Sequence, residues 1–252
     1  MAESRNILYF DFETTTNDTE KAFPVQIGAE LVRYDENLKV VVEASMETFV
    51  NFGVPIEPEA MAATGIPNED LEGAPGQDAP EVLQFLELAS KAHYFCGYNA
   101  SDFDIPIAMN VFGPETFQNT AVIDPLRLAR KMYPEFPSHM LGAVAHRTGV
   151  FKRIGNDYAC RLHNALVDTK VVRSLVEEML RERNCSFDEL YIFQNQVIEA
   201  MNFSFGKYKG QSIQQTLADP AGYGYVEYLL DQDWFEGKYP EEYMAIRRLL
   251  GN

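Results

Sequence analysis

Cysteine is nearly absent from this chain, and the few that occur are poorly placed for covalent or metal work. Cys96, Cys160 and Cys185 are three in 252 residues, odd in number, far apart and without C-x-x-C spacing. That excludes a disulfide framework and a thiolate zinc site, and leaves reduced thiols. No apolar run is long enough to span a bilayer, and the opening Met-Ala-Glu-Ser-Arg-Asn lacks the basic flank and apolar stretch of a secretory signal. A soluble, cytoplasmic protein with no membrane partner is expected. Cations are scarce too: 21 Lys and Arg stand against 38 Asp and Glu, for a net charge of −17. Such a chain does not grip nucleic acid through a generally basic surface. Low-complexity tracts and internal repeats are missing, which excludes a disordered or solenoid architecture.

What is there is an ordinary globular composition, 46% hydrophobic and 23% charged, long enough for one large domain or a medium one with a small companion. Ile7-Leu8-Tyr9-Phe10-Asp11-Phe12-Glu13-Thr14-Thr15 reads as a buried strand whose end emerges at a sheet edge. Strand alternation aims Asp11 and Glu13 the same way and turns Phe12 into the core. Two carboxylates on one face repel, and a divalent cation relieves the conflict. Alone, the pair reads equally well as two solvated acids at a strand end. Residues 25 to 34 and 39 to 50 complete an antiparallel meander. Helical spacing follows over 55 to 65, 79 to 91, from Phe103, over 126 to 131, 141 to 148 and 164 to 183, with short strands at 93 to 98 and ending at Ile123. This alternation predicts a mixed α/β sheet flanked by helices.

The texture changes at Cys185, so a main domain over 1–185 and a small α+β module over 186–252 are expected. In the module, Ser212 and Gln215 have capping-box spacing, and Pro220 and Pro240 suit the first turns of helices. Trp234, Phe235 and the tyrosines are expected to fill its core.

Three further stretches carry chemistry. Gly97-Tyr98-Asn99-Ala100-Ser101-Asp102-Phe103-Asp104 puts acids at a strand-to-helix transition. His163 stands just before a helix, and Asp168 inside it shares a face with Val171 and Val172. An inward carboxylate is expensive unless paired or bound to metal. Asp124 before Pro125 reads as a helix cap. Cys160 near His163 lacks a third group that would make a thiol nucleophile. Basic residues concentrate over 127–185, eleven Lys or Arg against six acids, including Arg147, Lys152, Arg153 and Arg161. Beside a metal site, such a segment suits phosphate contact.

With these residues in order, the chain resembles the histidine branch of the DEDD 3′-to-5′ exonucleases, which includes polymerase proofreading domains. The resemblance covers about residues 5 to 183, and Gln26-Ile27-Gly28-Ala29, Ile123-Asp124-Pro125 and Leu141-Gly142-Ala143 add supporting texture. It implies a ribonuclease H-like sheet in which Asp11, Glu13, Asp104 and Asp168 hold two Mg2+ ions, with Mn2+ able to substitute. His163 would be the general base, a role suited to an imidazole near neutral pH. Phe12, Thr14, Thr15, Asn99 and Phe103 would contact the terminal nucleotide. Phe205-Gly206-Lys207-Tyr208-Lys209-Gly210 with Asp219-Pro220 resembles the C-terminal module of exonuclease X-like proteins, which tilts the expected substrate to DNA 3′ ends, single-stranded or frayed. Asp102 is a weaker rival to Asp104, since Asn99 stands five residues before Asp104 where many histidine-branch members have four. An exoribonuclease trimming short RNA, or a non-catalytic module binding nucleic acid or a polymerase, is the alternative. Polymerase, ligase and helicase signatures are absent, so a role in DNA repair would be that of a separate protein.

Overall fold

A computed structural model of the chain describes residues 4–35, 37–118, 121–196 and 200–251. Five strands, β1 (Arg5–Thr14), β2 (Pro24–Tyr34), β3 (Val40–Phe49), β4 (Tyr94–Cys96) and β5 (Ala121–Ile123), form one sheet in the order β3-β2-β1-β4-β5. The expected meander β1-β2-β3 is antiparallel, and β4 and β5 add in parallel on the other side of β1. β1 is therefore central, buried on both faces, and its ladder opposes Asp11 to Gly28 and Glu13 to Gln26.

Twelve α-helices are found among the described residues: α1 (Pro58–Thr64), α2 (Pro80–Ser90), α3 (Asp104–Phe112), α4 (Pro125–Met132), α5 (Leu141–Arg147), α6 (Val150–Ile154), α7 (Ala165–Arg183), α8 (Phe187–Asn195), α9 (Ile213–Ala218), α10 (Pro220–Leu230), α11 (Asp233–Lys238) and α12 (Pro240–Leu249). None is long and apolar enough to cross a membrane. The period-two alternation of β1 sorts its side chains between two cores. Ile7 and Tyr9 pack with α4 to α8, through Leu128, Phe151, Leu175, Met179 and Leu190. Leu8, Phe10 and Phe12 pack on the opposite face with α2 and α3, through Phe85, Leu88, Ile105 and Ile107. The result is a mixed sheet between two helical layers, the α/β architecture expected from the sequence.

The chain divides into two compact units, Met1–Gln194 and Asn195–Asn252. The second has a core of its own, built on Phe203, Ile213, Val226, Leu229, Phe235 and Ile246. It holds α9 to α12 and, among the described residues, a single isolated bridge, Asn202 to Ser212. Ser212 Oγ accepts from the Gln215 N–H at 3.4 Å, and Asp219 caps α10. Phe235 is buried as expected, whereas Trp234 is 44% exposed: the two are adjacent on one short helix and cannot both face inward.

Candidate active site

The site forms where β1 runs out of the first core. Asp11 and Glu13 continue the face of Ile7 and Tyr9, and that face is covered by α7. α7 approaches closely because Gly28 has no side chain. A Cβ there would lie 2.3 Å from the backbone of Ala165 and Leu166, so only glycine lets the helix start against the sheet. Thr169 Oγ1 then donates to the Gly28 carbonyl oxygen at 3.3 Å. Asn164 caps the helix, its Oδ1 accepting from the Val167 N–H at 3.0 Å.

This docking carries Asp168, 9% exposed, to Glu13, 8% exposed. His163 sits just before the cap with its backbone in the left-handed region, φ 68°, and its N–H donates to Asp168 Oδ2 at 3.3 Å. The imidazole is exposed. Potential ligand atoms of Glu13, His163 and Asp168 lie within 4.8 Å of one another. Asp104 opens α3 on the other side, 2% exposed, and its Oδ1 accepts the Phe12 N–H at 3.1 Å, which ties α3 to β1 between the two acids of the strand. Asp102 points away, exposed and ion-paired with Arg127 at 2.7 Å.

Asp124 has a larger part than capping. It is fully buried and accepts from Leu126 N–H at 3.0 Å, but also from Asn99 and Ser101 N–H at 2.9 and 3.2 Å. One carboxylate thus anchors both α4 and the turn leading to Asp104. Asn99 at the head of that turn is also left-handed, φ 64°. The sequence signal Asp-Pro revealed only the cap.

The side chains expected to hold a nucleotide divide. Phe12 is buried against Phe10, Phe85 and Phe112, Thr14 Oγ1 donates to the Thr16 carbonyl at 2.9 Å, and Thr15 Oγ1 accepts the Phe23 N–H at 3.1 Å. These three side chains are engaged inside the fold. Asn99 and Phe103 remain partly accessible. A cleft of about 620 Å3 opens nearby, with Gln26, Glu47, Asp70 and Asn164 in its wall. Gln26 and Glu47 were not anticipated as site residues.

Electrostatically the four acids are in conflict. Burial, and then the charges of Asp104, Asp168 and Glu13, push the Asp11 carboxyl well above its ordinary range. Burial and the Asp168 charge push Glu13 up to about 7. Burial raises Asp104 to about 7 against the opposing hydrogen bond from Phe12, and Asp168 to about 6 against the hydrogen bond and charge of His163. Asp168 Oδ1 is in addition buried without a hydrogen-bond partner. An orphan carboxylate oxygen on a residue grouped with a second carboxylate and an imidazole fits a hard divalent cation: oxygen-rich donors, excess negative charge, an open lone pair.

Comparison with known proteins bears on the family and the fold. The exonuclease family model RNase T matches residues 8–175. The DNA polymerase III PolC-type protein of Bacillus cereus is 26% identical over 211 residues, which is 82% of this chain and 13% of that protein. Its counterpart in Streptococcus pneumoniae is 29% identical over 143 residues, 56% of this chain and 9% of the relative, so the chain spans a small part of these relatives' length. Among solved structures, E. coli Exonuclease I in complex with a dA16 oligonucleotide overlays with TM-score 0.57 at 19% identity, over 76% of this chain and 43% of that one. Exonuclease X in complex with 5′ overhanging duplex DNA gives TM-score 0.54 at 20% identity, over 75% of this chain and 99% of its own. These two likenesses are of fold.

Proposed function

The chain belongs to the RNase T exonuclease family, of the DEDD 3′-to-5′ kind, and from that premise we propose that it is a metal-dependent exodeoxyribonuclease. It removes nucleoside 5′-monophosphates from single-stranded or frayed DNA 3′ ends. The observation that carries this reading is the meeting of ligand atoms of Glu13, His163 and Asp168 within 4.8 Å, with one Asp168 oxygen buried and unpartnered. Asp11, Glu13, Asp104 and Asp168 are the residues that would hold two divalent cations, Mg2+ in the first place. When bound, such cations supply Lewis-acid stabilisation of the negative charge that develops on the phosphoryl oxygens.

The chain's own groups account for the rest. His163, exposed at the rim, takes the proton of the attacking water. That water's oxygen forms the new bond to phosphorus as the bond to the penultimate nucleotide's 3′-oxygen breaks, and the departing oxygen is protonated from solvent. Arg161, two residues from His163 and exposed, makes no ion pair among the described residues and is free to meet a phosphate. Asn99 and Phe103 line the approach of the terminal nucleotide. The DNA-bound states named for Exonuclease I and Exonuclease X support a DNA substrate. Residues beyond the exonuclease unit are read as a separate accessory module of the exonuclease X-like kind.

The test is a nuclease assay with Mg2+ or Mn2+ on matched 3′-labelled and 5′-labelled single-stranded DNA and RNA, beside Asp11→Ala and His163→Ala. Stepwise loss from the DNA 3′ end, abolished by EDTA and reduced by roughly a hundredfold or more in each variant, is the expected result. Faster trimming of RNA moves the substrate to RNA, and no cleavage of either polymer sinks the proposal.

A further inference from the structure

Two amide side chains and one carboxylate form a closed network beside the site. Gln26 is 4% exposed and stands opposite Glu13 in the β1-β2 ladder. Its Oε1 accepts the N–H of Ala165, the first residue of α7, at 3.1 Å, and its Nε2 donates to Glu47 Oε1 at 3.1 Å. Asn164 Nδ2 donates to the same oxygen at 2.5 Å while its Oδ1 caps Val167. Every polar atom of both amides is used, and two of the helix donors that a first turn leaves unpaired are satisfied by them.

We propose that Gln26 and Glu47 are positioning residues that fix the His163 segment against Glu13 and Asp168. The inference rests on the reading of His163 as the base. His163 is bonded directly to the capping residue Asn164 and holds φ 68°, a conformation that persists only where its surroundings over-determine it. The network supplies that constraint from the sheet side: β2 through Gln26, β3 through Glu47. Glu47 lies in the wall of the cleft beside the site. What it provides is a charge-assisted acceptor for two amides at once, the stronger class of hydrogen bond. It lies 117 residues from Asn164 in sequence, so the link is tertiary and holds only when β3 and α7 are both in place.

Steady-state kinetics on single-stranded DNA with the full chain tests this, comparing wild type with Gln26→Ala, Glu47→Ala and Glu47→Gln. The expected result is a fall in kcat of roughly tenfold to a hundredfold for both alanine variants with KM little changed, and recovery of most of the loss in Glu47→Gln, which keeps an oxygen acceptor. A rise in KM with kcat unchanged, or no effect, overturns the proposal. The His163 ring resonances, followed by carbon-proton NMR, decide the matter separately from turnover. They should move in Gln26→Ala and Glu47→Ala and return in Glu47→Gln. Unmoved resonances overturn the positioning role even in a protein that cleaves DNA, and shifted ones support it even where the wild type shows no turnover and the exonuclease reading itself fails.

Discussion

Asp168 Oδ1 is buried and without a partner, and burial pushes all four carboxyls of the site upward, helped by neighbouring charge at Asp11, Glu13 and Asp104. The consequence for stability has a definite sign. Unfolded, these acids titrate near 3.8 and 4.5, while in the fold Glu13 and Asp104 reach about 7 and Asp168 about 6. Between those limits the folded state binds more protons than the unfolded one, so metal-free stability falls as pH rises through the window. Above it the full penalty is present. A cation that needs the deprotonated acids removes the penalty by binding only the folded state. The rise in melting temperature produced by Mn2+ or Mg2+ should therefore be larger at pH 8 than at pH 5.5, and Asp168→Asn should melt higher than wild type at pH 8 without metal. Scanning calorimetry at both pH values measures this. A metal-induced rise that is equal at both, or larger in acid, removes the carboxylate cluster as its origin.

At the scale of elements, the site depends on how closely α7 lies on β2. Gly28→Ala would put a methyl group 2.3 Å from the backbone of Ala165 and Leu166, and neither helix nor strand can yield by a side-chain rotation. Overpacking of this kind costs about 1–3 kcal/mol, and the lost activity should be larger than the lost stability suggests. A displacement of about 1 Å in catalytic groups can cost about a hundredfold in rate. We expect Gly28→Ala to stay folded by circular dichroism and to lose roughly a hundredfold in kcat; wild-type turnover would show that the close approach does not matter. Gly28 was legible in the sequence only as texture, because the partner it makes room for is 137 residues away. The elements themselves were more legible. β1, β2, β3, α2 and α7 follow from apolar periodicity, and Asp11, Glu13, Asp104, His163 and Asp168 stood out because acids and a histidine at element ends are costly without a purpose. Apolar content alone carries β4 over 93 to 98, but the strand stops before Gly97, where a Cβ would lie 2.8 Å from the Phe10 carbonyl oxygen. α8 went unread although its cap is local: Glu189 accepts from the Ser186 N–H at 2.8 Å and donates its own N–H to Ser186 Oγ at 3.3 Å. Gln26 was legible only as part of the same texture and Glu47 had no local signal, because their meaning arises from three elements far apart in the chain.

For the whole molecule, the concentration of cations over 127–185 turns out to serve mostly the fold. Arg153 and Arg181 pair with Glu178 at 2.9 and 2.8 Å, Arg173 with Glu30 at 3.1 Å, and Arg183 lies over the Phe193 ring. α8 adds side-chain links between distant parts of the first unit. Phe187 and Leu190 are buried in the first core, with Phe187 against the Tyr34 ring at 4.7 Å. Asp188 accepts from Arg5 at 2.9 Å and from Tyr94 Oη at 2.6 Å, joining the N-terminal ends of β1 and β4. Gln194 accepts the Asp124 N–H at 2.6 Å and donates to the Val122 carbonyl at 3.0 Å, so it braces the very carboxylate that anchors the turn to Asp104. Burial of Phe187 and Leu190 alone contributes about 1.5–3 kcal/mol each, a large share of a typical total of about 5–15 kcal/mol. A chain ending at residue 196 keeps all of these contacts and one ending at residue 185 loses every one. The longer fragment should unfold in a single cooperative transition and retain metal-dependent cleavage of short single-stranded DNA, whereas the shorter one should melt about 6 °C or more lower, at roughly 2–4 °C per kcal/mol lost, with its activity largely gone. Equal melting of the two fragments would mean that α8 is an appendage rather than part of the exonuclease unit.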